Sequence, residues 1–145
     1  MNNHIDLLFS YFNEFADTCI KNNHLDTFNR KSISIDFSSK SRQGDISSNF
    51  YLVAIKKILD RQFNLKDELL SGIHNLDFIE KCEISKNGFI NINIKKKFLI
   101  DQVEHLLNEK NKYGKSNVGS EKNVNVEFVS ANPTGPVTVA HMRGA

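Results

Sequence analysis

The stretch "EISKNGFININI", Glu83–Ile94, carries the clearest structural signal in this sequence. Two β-rich runs flank an Asn-Gly pair, which is the strongest short-range signal for a β-hairpin. Because side chains alternate between the two faces of a strand, Ile90, Ile92 and Ile94 must share one face. We therefore predict a hairpin whose isoleucine face lies against the core.

The opposite face of the second hairpin strand has a different character. It presents Phe89, Asn91 and Asn93. An aromatic ring beside amides on an exposed sheet face is one way in which proteins stack and read single-stranded RNA bases. The other interpretation is that Phe89 packs beneath the preceding helix, and the pattern alone leaves both open.

Periodicity predicts the elements on either side of the hairpin. Helical spacing predicts helices over residues 4–22, 47–63, 65–72 and 98–114, and alternation predicts strands over residues 32–39 and 124–129. A hydroxyl of Ser47 or Ser48 is the candidate cap of the second helix. The fold class is α+β: a small domain over residues 1–115, with an antiparallel sheet packed by helices, and a second segment over residues 116–145.

The composition indicates a soluble, cytoplasmic protein. Hydrophobic residues make up 39% and charged residues 25% of 145 residues, enough to bury a sizeable core. No apolar run approaches the roughly 20 residues of a membrane span. The N-terminus lacks the pattern of a secretory signal. Cys19 and Cys82 are too few for a disulfide framework and are predicted to be buried, reduced thiols.

The basic charge is concentrated around the hairpin and the helix that follows it. Residues 86–122 contain eight lysines and four acids, whereas residues 1–85 contain ten basic residues and twelve acids. This asymmetry indicates a polyanionic partner, although a solvated basic helix explains the charge equally well.

The stretch "VEFVSANPTGPVTVAHMRGA", Val126–Ala145, contains both prolines of the chain in a loop between a predicted strand and a helix start. A strand, loop and helix start in this order leave backbone amides free to bind an anion. His141 and Arg143 could face a phosphate there, but no common phosphate-binding motif is present. A nucleotide site and a structural turn both remain open.

This stretch resembles the signature of arginyl-tRNA synthetases, a class I family, which reads roughly E-F-x-S-x-N-P-T-G-P-x-H-V-G-H-x-R-G. Twelve positions match it: Glu127, Phe128, Ser130, Asn132, Pro133, Thr134, Gly135, Pro136, Val139, His141, Arg143 and Gly144. Upstream, "GDISSN" (Gly44–Asn49) resembles the family's G-D-Y/I-x-x-N, and "GFINI" (Gly88–Ile92) resembles a run typical of its N-terminal domain. The resemblance covers most of the chain.

The resemblance implies a ligase that forms arginyl-adenylate from arginine and ATP, the latter accompanied by Mg²⁺, and transfers arginine to tRNA. Residues 1–115 would be the tRNA-binding N-terminal domain, and residues 116–145 the first strand, loop and helix turn of a Rossmann-type catalytic domain. The chain would then be an N-terminal fragment, inactive alone, of a full-length monomeric enzyme. No resident metal site is implied.

The resemblance also implies roles for individual residues. Arginine would be held by Glu127, Ser130 and Asn132, since a carboxylate suits a guanidinium. Phe89 and Asn91 match positions that contact a base of the tRNA D-loop. Catalysis is assigned to His141 and Thr138, with the imidazole stabilising the transition state at the α-phosphate. The ATP-binding motif comprises Pro133, Thr134, Gly135, Pro136, Thr138, Val139, Ala140 and His141.

Two positions depart from the family's signature. Thr138 replaces a histidine, so it can donate a hydrogen bond but cannot carry positive charge. Ala140 replaces a glycine against which adenine usually packs. An ATP site that tolerates both changes and a weaker, diverged enzyme both remain open. A non-catalytic RNA-binding module is the alternative from another functional class, and the C-terminal signature favours the enzyme over it.

Overall fold

The computed structural model describes residues 4–38, 44–117, 119–127, 129 and 134–143. The chain divides into two compact units, Met1–Leu107 and Asn108–Ala145. The domain boundary predicted between residues 115 and 116 separates parts that fold independently. The division into compact units does not test independent folding, so this boundary stays a prediction. No helix within the described residues is long and apolar enough to span a membrane.

Helices and short strands alternate along the chain. The elements are α1 (His4–Lys21), a 3₁₀ turn (Arg30–Ser32), β1 (Ile35–Phe37), β2 (Ile46–Ser48), α2 (Phe50–Ile55), α3 (Leu65–His74), β3 (Ile79–Ile84), β4 (Ile90–Ile94), α4 (Lys96–Glu109), a second 3₁₀ turn (Lys110–Lys112) and α5 (Val139–Met142). The predicted α+β class is confirmed for the first unit.

The four strands form one antiparallel sheet in the order β1-β2-β4-β3. The predicted hairpin is therefore confirmed as β3 and β4. Its isoleucines are buried as predicted: Ile90 and Ile92 are fully inaccessible and Ile94 is nearly so. Helices cover this face, whereas the side chains of Asn91 and Asn93 alternate to the other, open face.

The core joins the amphipathic α1 to α2 through aromatic packing. Leu8, Phe12 and Ala16 recur on one face of α1 and are fully buried, so the predicted helix is confirmed. The rings of Phe12 and Phe50 stack with centroids 4.5 Å apart and an interplanar angle of 9°. This contact ties α1 to the start of α2.

The predicted helix over residues 47–63 is wrong at both ends. Its first residues belong to β2, an inner strand of only three residues, and the helix itself runs only from Phe50 to Ile55. Ladder bonds to strands on both sides override the helical pattern, because they satisfy the backbone groups of β2. Of the two candidate caps, Ser48 accepts the Phe50 amide at 3.2 Å, although Asn49 occupies the N-cap position.

The segment Gly44–Asn49 fastens β2 to its neighbours through side chains as well as the backbone. Asp45 accepts the Ile94 amide at 2.8 Å. Asn49 accepts the Ser34 amide at 2.8 Å and donates to the Ser32 carbonyl at 2.9 Å. A Cβ on Gly44 would stand 2.7 Å from the Ile92 carbonyl oxygen, so the close approach needs glycine. Of the three residues of β2, Ser47 alternates to the open side of the sheet.

The first predicted strand is shorter than expected. Alternation predicted a half-buried strand over residues 32–39, but β1 spans Ile35–Phe37 and Phe37 is 68% exposed. β1 is one of the two edge strands of the sheet and pairs with β2 over Ile35–Phe37. Residues 39–43, predicted as part of a polar loop, lie outside the described residues.

The helix predicted over residues 98–114 starts two residues earlier and ends sooner, as α4. Only Phe98 of its apolar side packs against the buried core. Leu99, Val103, Leu106 and Leu107 are exposed in this structure. Both cysteines are buried and free, as predicted, and burial raises the pKa of the Cys82 thiol to about 11.

Among the described residues of the second unit, α5 forms a helical turn, and those of the predicted strand are not in a strand. Residues 124–127 and 129 carry no strand, and residue 128 lies outside the described residues. A strand exists only through a hydrogen-bonded partner, and the described residues of this unit supply none. The Rossmann-type start therefore stays a prediction.

Candidate nucleic-acid interface

A pocket of about 290 Å³ lies on the open face of the sheet. It is lined by Asp36, Phe37, Ser38, Ser47, Ser85, Asn87, Phe89 and Asn91. We call it the open-face pocket. The two residues predicted to contact RNA, Phe89 and Asn91, both line it, so the structure brings them together.

Phe89 is a surface residue of this pocket. Its side chain is 37% exposed and does not belong to the buried core, so it does not pack beneath the preceding helix. An exposed ring held beside hydroxyl and amide groups offers a flat apolar surface on which a base can stack. Its role in tRNA binding stays a prediction.

The hairpin turn holds the backbone of Phe89 in place. The Ser85 amide and hydroxyl both donate to the Phe89 carbonyl, at 2.8 and 2.9 Å. The Gly88 amide donates to the Ser85 carbonyl at 2.9 Å, with Gly88 at φ +83°. The same Ser85 hydroxyl contacts the Asn87 side chain. These hydrogen bonds hold the backbone of Phe89 and so restrict the directions in which its side chain can point.

A polar row crosses the sheet beside Phe89. The strand register pairs Asp36 with Ser47, Ser47 with Asn91, and Asn91 with Glu83. Directly paired residues share a face, so a hydroxyl and an amide lie between two carboxylates. The Ser47 hydroxyl donates to Asn91 Oδ1 over 3.4 Å, which leaves the amide NH₂ for a ligand. Carboxylates repel phosphates but accept base amino groups, so this row suits base edges.

Sequence reasoning missed Ser47, because it placed this residue in a helix. The signal that could have identified it is the pairing of β2 with β4, which needs the sheet order. The basic residues that follow the hairpin lie away from Phe89. Lys95 follows β4 at the end away from Phe89, about 20 Å along the strand. Lys97 pairs with Asp101 at 3.2 Å.

The predicted catalytic residues meet in α5. The Thr138 amide donates to His141 Nδ1 at 3.1 Å, and the Thr138 hydroxyl lies 3.3 Å from the same nitrogen. An Nδ1 that accepts the amide proton places the imidazole proton on Nε2. Thr138 therefore orients the imidazole and selects the tautomer in which Nε2–H is free to donate.

The remaining predicted ATP and arginine residues are not assembled into a site by the described residues. Glu127, Thr134, Gly135, Pro136, Val139 and Ala140 are exposed, whereas Ser130, Asn132 and Pro133 lie outside the described residues. Within the described part of the chain, no three His, Cys, Asp or Glu residues are grouped to hold a metal ion.

Known proteins with similar sequences identify the first unit. A family model described as "Arginyl tRNA synthetase N terminal domain" matches residues 13–94. The chain belongs to the arginyl-tRNA synthetase family. The family match includes every residue that lines the open-face pocket. The pocket therefore lies within the region that the family model matches.

Curated relatives extend the similarity to most of the chain. An "Arginine--tRNA ligase" of Bartonella bacilliformis is 34% identical over 126 residues, 87% of this chain and 22% of the relative. Its counterpart in Dehalococcoides mccartyi is 38% identical over 113 residues, 78% of this chain and 20% of the relative. This synthetase-family chain thus spans about a fifth of the length of these curated relatives.

Proposed function

We propose that this chain is the tRNA-recognition part of an arginine–tRNA ligase, which attaches arginine to tRNA at the expense of ATP. The observation that carries the proposal is the open-face pocket, where an exposed aromatic ring lies beside a hydroxyl and an amide. An unpaired base of the tRNA D-loop stacks on Phe89, and its edge meets Asn91. Because the base must be unstacked to enter, the pocket selects a loop over a duplex.

Residues 127–143 contribute to the ATP and arginine site of the same ligase. Glu127, Ser130 and Asn132 hold the arginine substrate, and His141 donates from Nε2 to the nucleotide's phosphates. Mg²⁺ enters with those phosphates, as hard oxygen ligands require. Because its Nδ1 accepts the Thr138 amide, His141 would donate one hydrogen bond from Nε2, and Mg²⁺ bound with the nucleotide would supply positive charge at the phosphates. The ligase works in the cytoplasm as a monomer.

Asn91→Ala should weaken binding of an arginine-accepting tRNA transcript by about 1 kcal/mol, or roughly fivefold, because one amide contact to the base edge is lost. The measurement is an equilibrium titration of the labelled transcript with the 145-residue chain at fixed salt.

Asn93→Ala is the matched control for this titration. Asn93 lies on the same strand and face as Asn91, is likewise half-buried, and does not line the open-face pocket. It should leave the affinity unchanged. Equal affinities for both variants and the unaltered chain would remove Asn91 from the interface. Failure of the unaltered chain to bind the transcript would overturn the proposed function itself.

A non-catalytic RNA-binding module is the weaker alternative. The similarity to curated ligases across 73–87% of the chain favours the ligase. No feature of the described residues favours the module over it.

A further inference from the structure

A second open groove, of about 680 Å³, lies beside α2 in the first unit. It is lined by Thr27, Phe28, Asn29, Ser32, Val53, Lys56 and Lys57. We call it the lysine groove. None of its residues lines the open-face pocket. It combines two ammonium groups with hydroxyl and amide side chains over an aromatic ring.

The wall opposite the lysines is held rigidly. Arg30 pairs with Asp17 at 2.6 Å and lies over the Phe28 ring, 4.4 Å from its centroid. Asn29 accepts the Lys31 amide at 3.0 Å, and the Ser32 hydroxyl donates to the Asn29 carbonyl at 2.6 Å. The groove is therefore a preformed surface, which lowers the entropic cost of ordering it around a ligand.

The charge in this groove is positive and largely unpaired. The two segments that form it, residues 26–32 and 53–61, contain five basic and two acidic residues. Neither acid lines the groove: Asp26 accepts the Thr27 amide at 2.7 Å, and Asp60 contacts His24 at 3.1 Å. Within the described part of the chain, neither Lys56 nor Lys57 forms an ion pair.

The groove and the open-face pocket adjoin the same end of the sheet. A Cβ on Gly88 of the hairpin turn would collide with Leu52, whose neighbour Val53 lines the groove. Ser32 of the groove and Asp36 of the pocket are four positions apart in the sequence, so their Cα atoms are at most about 14 Å apart. One short stretch of RNA can therefore reach both.

We propose that the lysine groove binds the sugar–phosphate backbone of the same RNA whose base occupies the open-face pocket. This inference rests on the proposed function. The lining of the open-face pocket includes the Asp36 carboxylate and no lysine or arginine, so neutralising phosphates there needs cations placed nearby. Lys56 and Lys57 supply them as point charges, while the side-chain NH₂ of Asn29, whose Oδ1 accepts the Lys31 amide, donates to phosphate and ribose oxygens.

The test is a salt titration of the 145-residue chain with the arginine-accepting tRNA transcript. The double variant Lys56→Gln/Lys57→Gln should bind on the order of tenfold more weakly at low salt. The slope of log affinity against log salt should become shallower by about 1 for each lysine removed. Lys56→Gln alone, which changes one exposed side chain, should give about half the change in slope.

The matched control is Lys21→Gln/Lys66→Gln, which removes the same charge from two exposed lysines outside the groove. Its slope should stay near that of the unaltered chain, with equal urea midpoints for all variants. Equal losses for both double variants, or no loss for the groove variant, would overturn the inference. If Asn91→Ala still weakens binding in that case, the proposed function stands and only the groove is excluded.

Discussion

Alanine in place of Phe50 should lower the free energy of unfolding by about 3–5 kcal/mol, the usual cost of deleting a buried phenylalanine ring. Phe50 is fully buried, stacks on Phe12 and meets the rings of Phe15 and Phe28 at their edges. Its removal leaves a cavity where α1, α2 and the segment before β1 converge. Since small domains are stable by only about 5–15 kcal/mol, a urea melt should show a large shift of the midpoint.

Phe37→Ala is the matched control for that melt. Phe37 is 68% exposed on the edge strand, and its principal ring contact is with His4, 5.9 Å away. Its replacement should change the free energy of unfolding by no more than about 0.5 kcal/mol. Similar losses for both variants would contradict the placement of the core between α1 and the sheet.

The 145-residue chain alone should show no ATP–pyrophosphate exchange with arginine. Class I catalysis draws groups from several strand ends of a doubly wound sheet. The described residues of the second unit contain no strand, and the predicted arginine and ATP residues among them are mostly exposed to solvent. The chain alone would therefore not hold the ATP phosphates and the arginine carboxylate in the in-line geometry that the reaction needs.

The Bartonella bacilliformis ligase, at equal concentration, is the positive control for this assay. Exchange by the 145-residue chain above the background of buffer would contradict the prediction. It would mean that residues 116–145 assemble a working site without further strands. Loss of such activity on changing His141 to alanine would then assign it to this chain and exclude a contaminant.

The hairpin was predictable because its signals are local. The Asn-Gly turn and the alternation of three isoleucines lie within one continuous stretch of sequence. The tertiary contacts of the folded chain favour the same hairpin. The exposed face that carries Phe89 and Asn91 followed from the same alternation. Helix α1 was predictable for a similar reason, since its apolar period is sustained over five turns.

β2 was not predictable, because nothing local distinguishes it from the start of a helix. Its three residues gain their conformation from ladders with β1 and β4, which lie 8 or more residues away in sequence. For the same reason, Ser47 was not predicted to belong to the candidate site. The open-face pocket is assembled by register across three strands, and register is a property of the sheet.

The lysine groove shows a similar limit on reasoning from charge. Counting charges along the chain pointed to residues 86–122, where the lysines are close in sequence. The structure instead brings Lys56 and Lys57 against the segment Thr27–Ser32. An anion is attracted to the place where basic side chains lie close together in space. Distance along the sequence does not reveal that place.

The most direct test of the account compares Phe89→Ala with Phe9→Ala. The two rings are 37% and 39% exposed, and Phe9 lies on α1, outside the open-face pocket. Each variant is titrated with the tRNA transcript at fixed salt and melted in urea. Phe89→Ala should weaken tRNA binding by about 1–3 kcal/mol, the usual value of one base stack, with little loss of stability, whereas Phe9→Ala should leave the affinity unchanged. Unchanged affinity for Phe89→Ala, or a loss of stability with normal affinity per folded molecule, would contradict the assignment of this sheet face to tRNA.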